Sequence, residues 1–229
     1  MARQERAVRT RDAILVAAAE VFDEVGYESA AISQILRRAG VTKGALYFHF
    51  ASKKELAQAV LANQVTAVPE VPPRELALQQ GLDESLVIAH MLSTGDAMVR
   101  GSVRLTVDQG SRLDGLDRRV PMSGWIERNV AFLGRAQRNG ELLPDVDIGA
   151  AAQLFVGCFT GVQMLSKIMT NYADLTARVT TMQAHLMASI AVPAVLVRLD
   201  ISHDRAERVY KEALAARDGT PAVAVDASG

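Results

Sequence analysis

The chain has 229 residues, 49 % hydrophobic and 22 % charged, with a formal net charge of −1. That is ordinary for a globular protein of one large domain or two unequal ones, and the net charge alone argues against a nucleic-acid partner. No uninterrupted apolar run is long enough to span a membrane and no apolar signal core follows the N-terminus, so a cytoplasmic, nucleoid-associated location is expected.

The distribution of charge points the other way. Residues 1–54 hold nine Lys and Arg against six Asp and Glu, and the remainder sixteen against twenty. Arg3, Arg6, Arg9 and Arg11 face only Glu5 at the start. A basic head on an acidic body hints at polyanion binding, with solvated surface charge as the equal alternative. The lone Cys158 sits in an apolar run and reads as a small core residue.

Taken in order, the elements are helices. From Thr10, the apolar residues Ile14, Ala17, Ala18, Val21, Phe22 and Val25 recur at helical spacing, and Gly26 suits a C-terminal cap. Ser29 can cap a second helix through residue 38, with Ile32, Ile35 and Leu36 inward, and Gly40 stops it. Thr42 starts a third, short helix. Ser52-Lys53-Lys54-Glu55 is a capping box that announces a fourth, to about residue 64. The stretch Val68-Pro69-Glu70-Val71-Pro72-Pro73 cannot easily sustain helix. Longer helices follow at 83–99, 121–139, 147–170, 174–191 and 202–217, while 100–120 reads as a loop with no more than one helical turn. No strand of useful length appears. The fold class is all-α: a three-helix head over 1–50, a connecting helix over 51–66, a larger helical body over 67–218 and a frayed tail over 219–229.

The third helix lies in V41-T42-K43-G44-A45-L46-Y47-F48-H49-F50. Lys43 and Tyr47, four apart, share one face; Leu46 and Phe50 share another and, with Phe48, anchor the helix on its neighbours. Lys43 and Tyr47 are left to point outward. Gly44 between them costs about 1 kcal/mol relative to alanine in a helix. Close approach of a DNA backbone or base edge accounts for it. The anatomy is that of a helix-turn-helix, against the alternative of a compact three-helix subdomain with a neutral Gly44.

T10-R11-D12-A13-I14-L15 through Phe22, G26-Y27, and A39 through L56 resemble the N-terminal domain of the TetR family of repressors. The form VTKGALYFHF resembles the γ-butyrolactone autoregulator receptors of actinomycetes, dimeric repressors that leave DNA on binding a diffusible lactone. The resemblance implies that Thr42, Lys43, Gly44 and Ala45 meet bases and that Tyr47 and His49 meet phosphate. It places Lys53 on a phosphate beside a helix N-terminus and Arg3 in a basic arm along the duplex. Taken alone, His49 reads equally well as a structural residue. Trp125 matches the pocket tryptophan of the subfamily, and the implied effector is a γ-butyrolactone or a butenolide such as avenolide. The family's fourth helix links the head to the ligand domain; Pro69, Pro72 and Pro73 interrupt the segment just after it, a departure that leaves a shorter or kinked link.

The body supplies ligand-site candidates. In Phe155–Val162, bulky walls alternate with Gly157 and Gly161, which leave space, and Thr160 brings a hydroxyl that needs a partner, either a ligand or its own i−4 carbonyl. Trp125 offers a flat wall and an N–H, or else a core or dimer tryptophan. Gln64, at the end of the fourth helix, either senses ligand or caps an exposed helix end. A mostly apolar pocket with two or three polar fixtures implies a small, neutral, amphipathic effector. The resemblance puts the homodimer contact on helices 174–191 and 202–217, the first carrying Leu175, Val179, Met182, Leu186 and Ile190 as a stripe. No catalytic triad order, phosphate loop or metal-ligand cluster appears, and His90, His185 and His203 are scattered, so no enzyme and no metal are expected. The rival readings are a DNA-binding homologue with a different apolar effector, and a carrier or enzyme with a vestigial head.

Overall fold

The computed structural model describes residues 2–108 and 114–219, Ala2 and Arg3 by their backbone alone; the side chain of Arg3 and the tail from residue 220 lie outside the described residues. Among the described residues the elements are all helical: α1 (Ala2–Ser29), α2 (Ile32–Ala39), α3 (Lys43–His49), α4 (Lys53–Thr66), α5 (Ala77–Thr94), α6 (Ala97–Val107), α7 (Arg119–Arg138), α8 (Ile148–Thr170), α9 (Leu175–Ile190), α10 (Pro193–Leu196) and α11 (Arg205–Arg217). They form two compact units, Met1–Ala67 with Gly95–Gly124, and Val68–Thr94 with Trp125–Gly229.

The first unit is built on α1, which buries Ile14, Ala18 and Phe22 against Ile35, Leu46, Phe50, Leu56 and Val60. The helix starts at Ala2 rather than at Thr10, because residues 2–9 contain no breaker and Glu5 lies in the first turn, where the helix dipole favours it. Its regular helical backbone ends at Gly26, as expected: the residue sits at φ 74°, ψ 171°, and a further short helical segment runs to Ser29. Ser29 therefore does not cap α2; the Ala31 N–H is satisfied by Gln34 Oε1 at 2.8 Å. Thr42 Oγ1 accepts from Ala45 N–H, and Ser52 Oγ from Glu55 N–H, as the capping logic requires. Glu55 reaches back one residue further than expected, accepting from Ala51 N–H at 2.7 Å. α4 runs without interruption to Thr66, and the proline stretch begins only after it.

The stretch expected to be a loop over 100–120 is largely helix. Gly95, at φ 90°, breaks the predicted 83–99 helix, and Asp96 caps α6 by accepting from Val99 N–H. Val99, Val103 and Leu105 are buried. Gly101 is present because α6 lies so close to α1 that a Cβ there would stand 2.2 Å from the Ala19 carbonyl oxygen. After α6, Arg118 donates to Leu105 O and forms a paired contact with Asp114, while Gln58 and Asp117 exchange two hydrogen bonds.

In the second unit α5 begins at Ala77, ahead of its predicted start at residue 83. Its cap comes from far along the chain: buried Glu141 accepts from Ala77 N–H and Leu78 N–H, both at 2.9 Å. Asp83, which looked like a helix start, is instead fully buried inside α5. It accepts from Arg74 Nε, Gln79 Nε2, and Arg205 Nε and Nη2 at 2.6–2.8 Å. Phe132 packs edge-on to Phe155, with centroids 6.2 Å apart, and leaves room for no Cβ at Gly81.

α8 has 23 residues and by length and composition alone is long and apolar enough to cross a membrane. Gln153, Thr160, Gln163 and Ser166 interrupt its apolar run, which is why no continuous span was expected. Ala151, Ala152, Phe155, Gln163 and Ser166 form its buried side.

Candidate functional site

The outward face of α3 follows from its caps. Thr42 fixes the N-terminus, Gly40 at φ 65° turns the chain out of α2, and Leu46 and Phe50 are buried beneath. Lys43 and Tyr47 stand exposed on the outer side, the ammonium 5.9 Å from the tyrosine ring centroid. Gly44 is exposed, and a Cβ there would meet nothing nearer than Thr42 Oγ1 at 4.0 Å, so no protein contact demands glycine. Ala45 and His49 are half-buried.

Two assignments change. Phe48, expected to anchor the helix, is 80 % exposed, with its ring edge-on to His49 at 5.0 Å. Lys53 sits at the start of α4, but its ammonium donates to the carbonyls of Tyr27, Glu28 and Ala30 and lies 4.6 Å from the Tyr27 ring centroid. It ties α4 to the kinked end of α1. Near the other end of α1, Arg11 stacks over the Phe50 ring at 5.2 Å, and Arg6 and Arg9 are exposed.

The ligand-site candidates fall in both units. Gln64, in the first, is not at an exposed helix end: it is buried, with Oε1 3.1 Å from Thr106 Oγ1, whose proton is shared with Ser102 O at 2.8 Å, and the contact links α4 to α6. Trp125 and Thr160 are in the second. Thr160 Oγ1 donates to Val156 O at 2.8 Å, its own i−4 carbonyl. Trp125 is half-buried, with the Arg128 guanidinium 5.7 Å from its ring, and Arg128 also pairs with Glu84 at 3.3 Å. A cleft of about 250 Å³ opens here between Glu70, Gln80, Glu84, Arg128 and Arg135. Val71 and Ala131 complete its mostly charged and polar lining, which includes neither Trp125 nor Thr160.

Gln183 was missed. It is fully buried; Nε2 donates to Leu82 O and Ser85 Oγ, and Oε1 has no hydrogen-bond partner among the described residues. The Leu82 carbonyl fixes the amide orientation, because a flipped amide would set two acceptors against each other. Only its place on α9 opposite α5 reveals it; in sequence it is one glutamine among many. At Gly157 and Gly161 an added Cβ would meet nothing within 4 Å. They lie exposed on α8 beside Leu154, Leu165 and Ile168.

The predicted dimer stripe on α9 is partly core, with Leu175 and Val179 fully buried. α11 buries Ala206, Val209 and Ala213 and turns the charged residues Glu207, Arg208 and Lys211 outward. Among the described residues no cluster of three or more His, Cys, Asp or Glu side chains could hold a metal ion. His90 packs against the Tyr210 ring at 4.7 Å, and burial holds its pKa below the ordinary histidine value.

Residues 14–60 match the profile of bacterial regulatory proteins of the tetR family. The A-factor receptor protein of Streptomyces griseus is 38 % identical over 238 aligned positions, which span all of this chain and 81 % of that protein. Among solved structures, TylP, a tetR regulator from Streptomyces fradiae, superposes with a TM-score of 0.87 at 58 % identity over 91 % of this chain and 99 % of that one. CprB of Streptomyces coelicolor, in complex with its biological operator sequence, gives 0.66 at 28 % identity over 93 % and 97 %. An ArpA-like gamma-butyrolactone receptor gives 0.64 at 27 % identity over 90 % and 98 %. These likenesses define a helix-turn-helix transcriptional regulator. The chain belongs to the TetR family, in the autoregulator-receptor subfamily.

Proposed function

We propose that this regulator is a repressor that binds operator DNA as a homodimer and is released by a small lactone, a γ-butyrolactone or a butenolide such as avenolide. The observation that carries the reading is α3, capped by Thr42, seated on buried Leu46 and Phe50, and turning Lys43, Gly44 and Tyr47 outward. Thr42, Lys43, Gly44 and Ala45 meet bases in the major groove, and Tyr47 and His49 meet phosphate. Because the Lys53 ammonium is engaged by three carbonyls, Lys53 contributes its main-chain N–H at the start of α4. Arg3, at the head of α1, lies along the duplex. A protein acting on chromosomal operators works in the cytoplasm, at the nucleoid.

The kinship with the A-factor and gamma-butyrolactone receptors supports the lactone. Trp125 supplies a flat wall. Thr160, whose proton is engaged, can still accept from a ligand, and Gln183 Oε1 is a second buried acceptor. Gln64 relays ligand binding through its bond to Thr106 between α4 and α6. The homodimer forms on α8, where Leu154, Leu165, Ile168 and Met169 are exposed, together with the small residues Ala177, Ala184 and Ala188 of α9. The charged lining of the Arg128 cleft favours a second reading, in which the effector is more polar than a lactone.

Lys43→Ala should weaken operator binding by about 1–3 kcal/mol, the size of a base contact. Tyr47→Phe should weaken it less, by about 1 kcal/mol, through loss of one hydrogen bond. Both variants should keep wild-type circular dichroism and oligomeric state, since both side chains are exposed. Gel shifts with operator fragments check this; wild-type affinity in both would remove α3 from the interface.

A further inference from the structure

We infer that Phe48 reads a thymine methyl group in the major groove, an inference that rests on the operator-binding reading above. Successive helical residues turn by about 100°, so Phe48 points about 160° away from both Leu46 and Phe50. Those two are buried, at 0 % and 2 % exposure, which sets Phe48 in the middle of the opposite face. Gly44, one turn earlier on that face, leaves bare backbone beside the ring. The result is an apolar knob next to a notch, with His49 edge-on to one side of the ring.

The chemistry narrows what the knob meets. A phenyl ring carries no charge and no hydrogen-bond donor, so it gains nothing from phosphate. Its gain comes from burying apolar area, and the apolar group that the major groove presents is the thymine C5-methyl. The neighbours Thr42, Lys43 and Tyr47 are polar or cationic, which suits a duplex around this contact rather than an apolar protein partner.

The test starts from the duplex that the wild-type protein enriches from a random-sequence pool. Each thymine is replaced singly by deoxyuracil, which deletes only the methyl, and affinities are measured for wild type, Phe48→Ala and Phe48→Leu. At one thymine per half-site, wild type should lose about fourfold, the worth of one buried methyl-sized group. Phe48→Ala should bind the unmodified duplex more weakly and be indifferent to that replacement, while Phe48→Leu retains part of the sensitivity. Phe48→Ala should melt as wild type does, since the ring is exposed. A wild type indifferent to every replacement overturns the inference. So does a Phe48→Ala protein as sensitive as wild type, which assigns the methyl to another residue. Uniform weakening of Phe48→Ala without a thymine effect puts the ring on sugar and overturns it too. Failure to enrich any duplex would instead sink the operator-binding reading itself.

Discussion

Asp83→Ala should destabilise the second unit by about 3–5 kcal/mol, the usual cost of removing one partner from a buried ion cluster. The carboxylate is fully buried and receives four N–H donors, from Arg74, Gln79 and Arg205. Burial alone would lower the pKa of Arg205, yet Asp83 and Asp200 hold it above the ordinary arginine value. Without Asp83, two guanidiniums remain in a desolvated place with half their acceptors gone. The cluster also organises the chain: Gln79 exchanges bonds with the backbone of Asp200, and Arg74 reaches Glu212 on α11. The urea midpoint should fall with an unchanged slope. An unfolding free energy within about 1 kcal/mol of wild type would show that the cluster sets geometry without holding the fold.

Gly101→Ala has an outcome whose sign is informative. In an exposed helix the change gains about 1 kcal/mol. Here the added Cβ would stand 2.2 Å from Ala19 O and 2.6 Å from Ala19 C, which are backbone atoms with no rotamer to change. α1 and α6 would have to move apart by about 1 Å, and overpacking of that kind costs about 1–3 kcal/mol or more. Because α1 also carries the packing beneath α3, weaker operator binding should accompany the loss of stability. Gly134→Ala is the control: its Cβ would meet only the flexible end of Arg138 at 3.6 Å, so it should be neutral or stabilising. A stabilised Gly101→Ala protein would mean that α6 does not pack as described.

Local signals were readable where the partner lay within a few residues. The Thr42 and Ser52 caps, the left-handed Gly40 and the buried pair Leu46 and Phe50 all follow from short-range chemistry. The failures have distant causes. Nothing near Ala77 announces a helix start, because its cap, Glu141, lies 64 residues away. Gly101 looks like a loop glycine, but it marks close helix packing. Lys53 occupies a position suited to phosphate, yet carbonyls brought there by the fold at Gly26 claim its charge. Phe48 was grouped with Leu46 and Phe50 by composition, although helical geometry sets it opposite them. The α9 stripe has apolar periodicity that α5 and α8 help to satisfy within the unit, so periodicity alone could not separate core from dimer face.

The most direct test of the repressor reading is a titration of the operator complex with a synthetic γ-butyrolactone or butenolide, followed at once by DNA release and by emission of Trp125, the only tryptophan. A ligand that prefers the released conformation must weaken operator affinity by linkage. The emission change and the release should therefore occur over the same concentration range, and Trp125→Ala should repress normally but release poorly. Lactone that saturates the protein while the operator complex stays intact, or release from Trp125→Ala as sensitive as from wild type, would contradict the account.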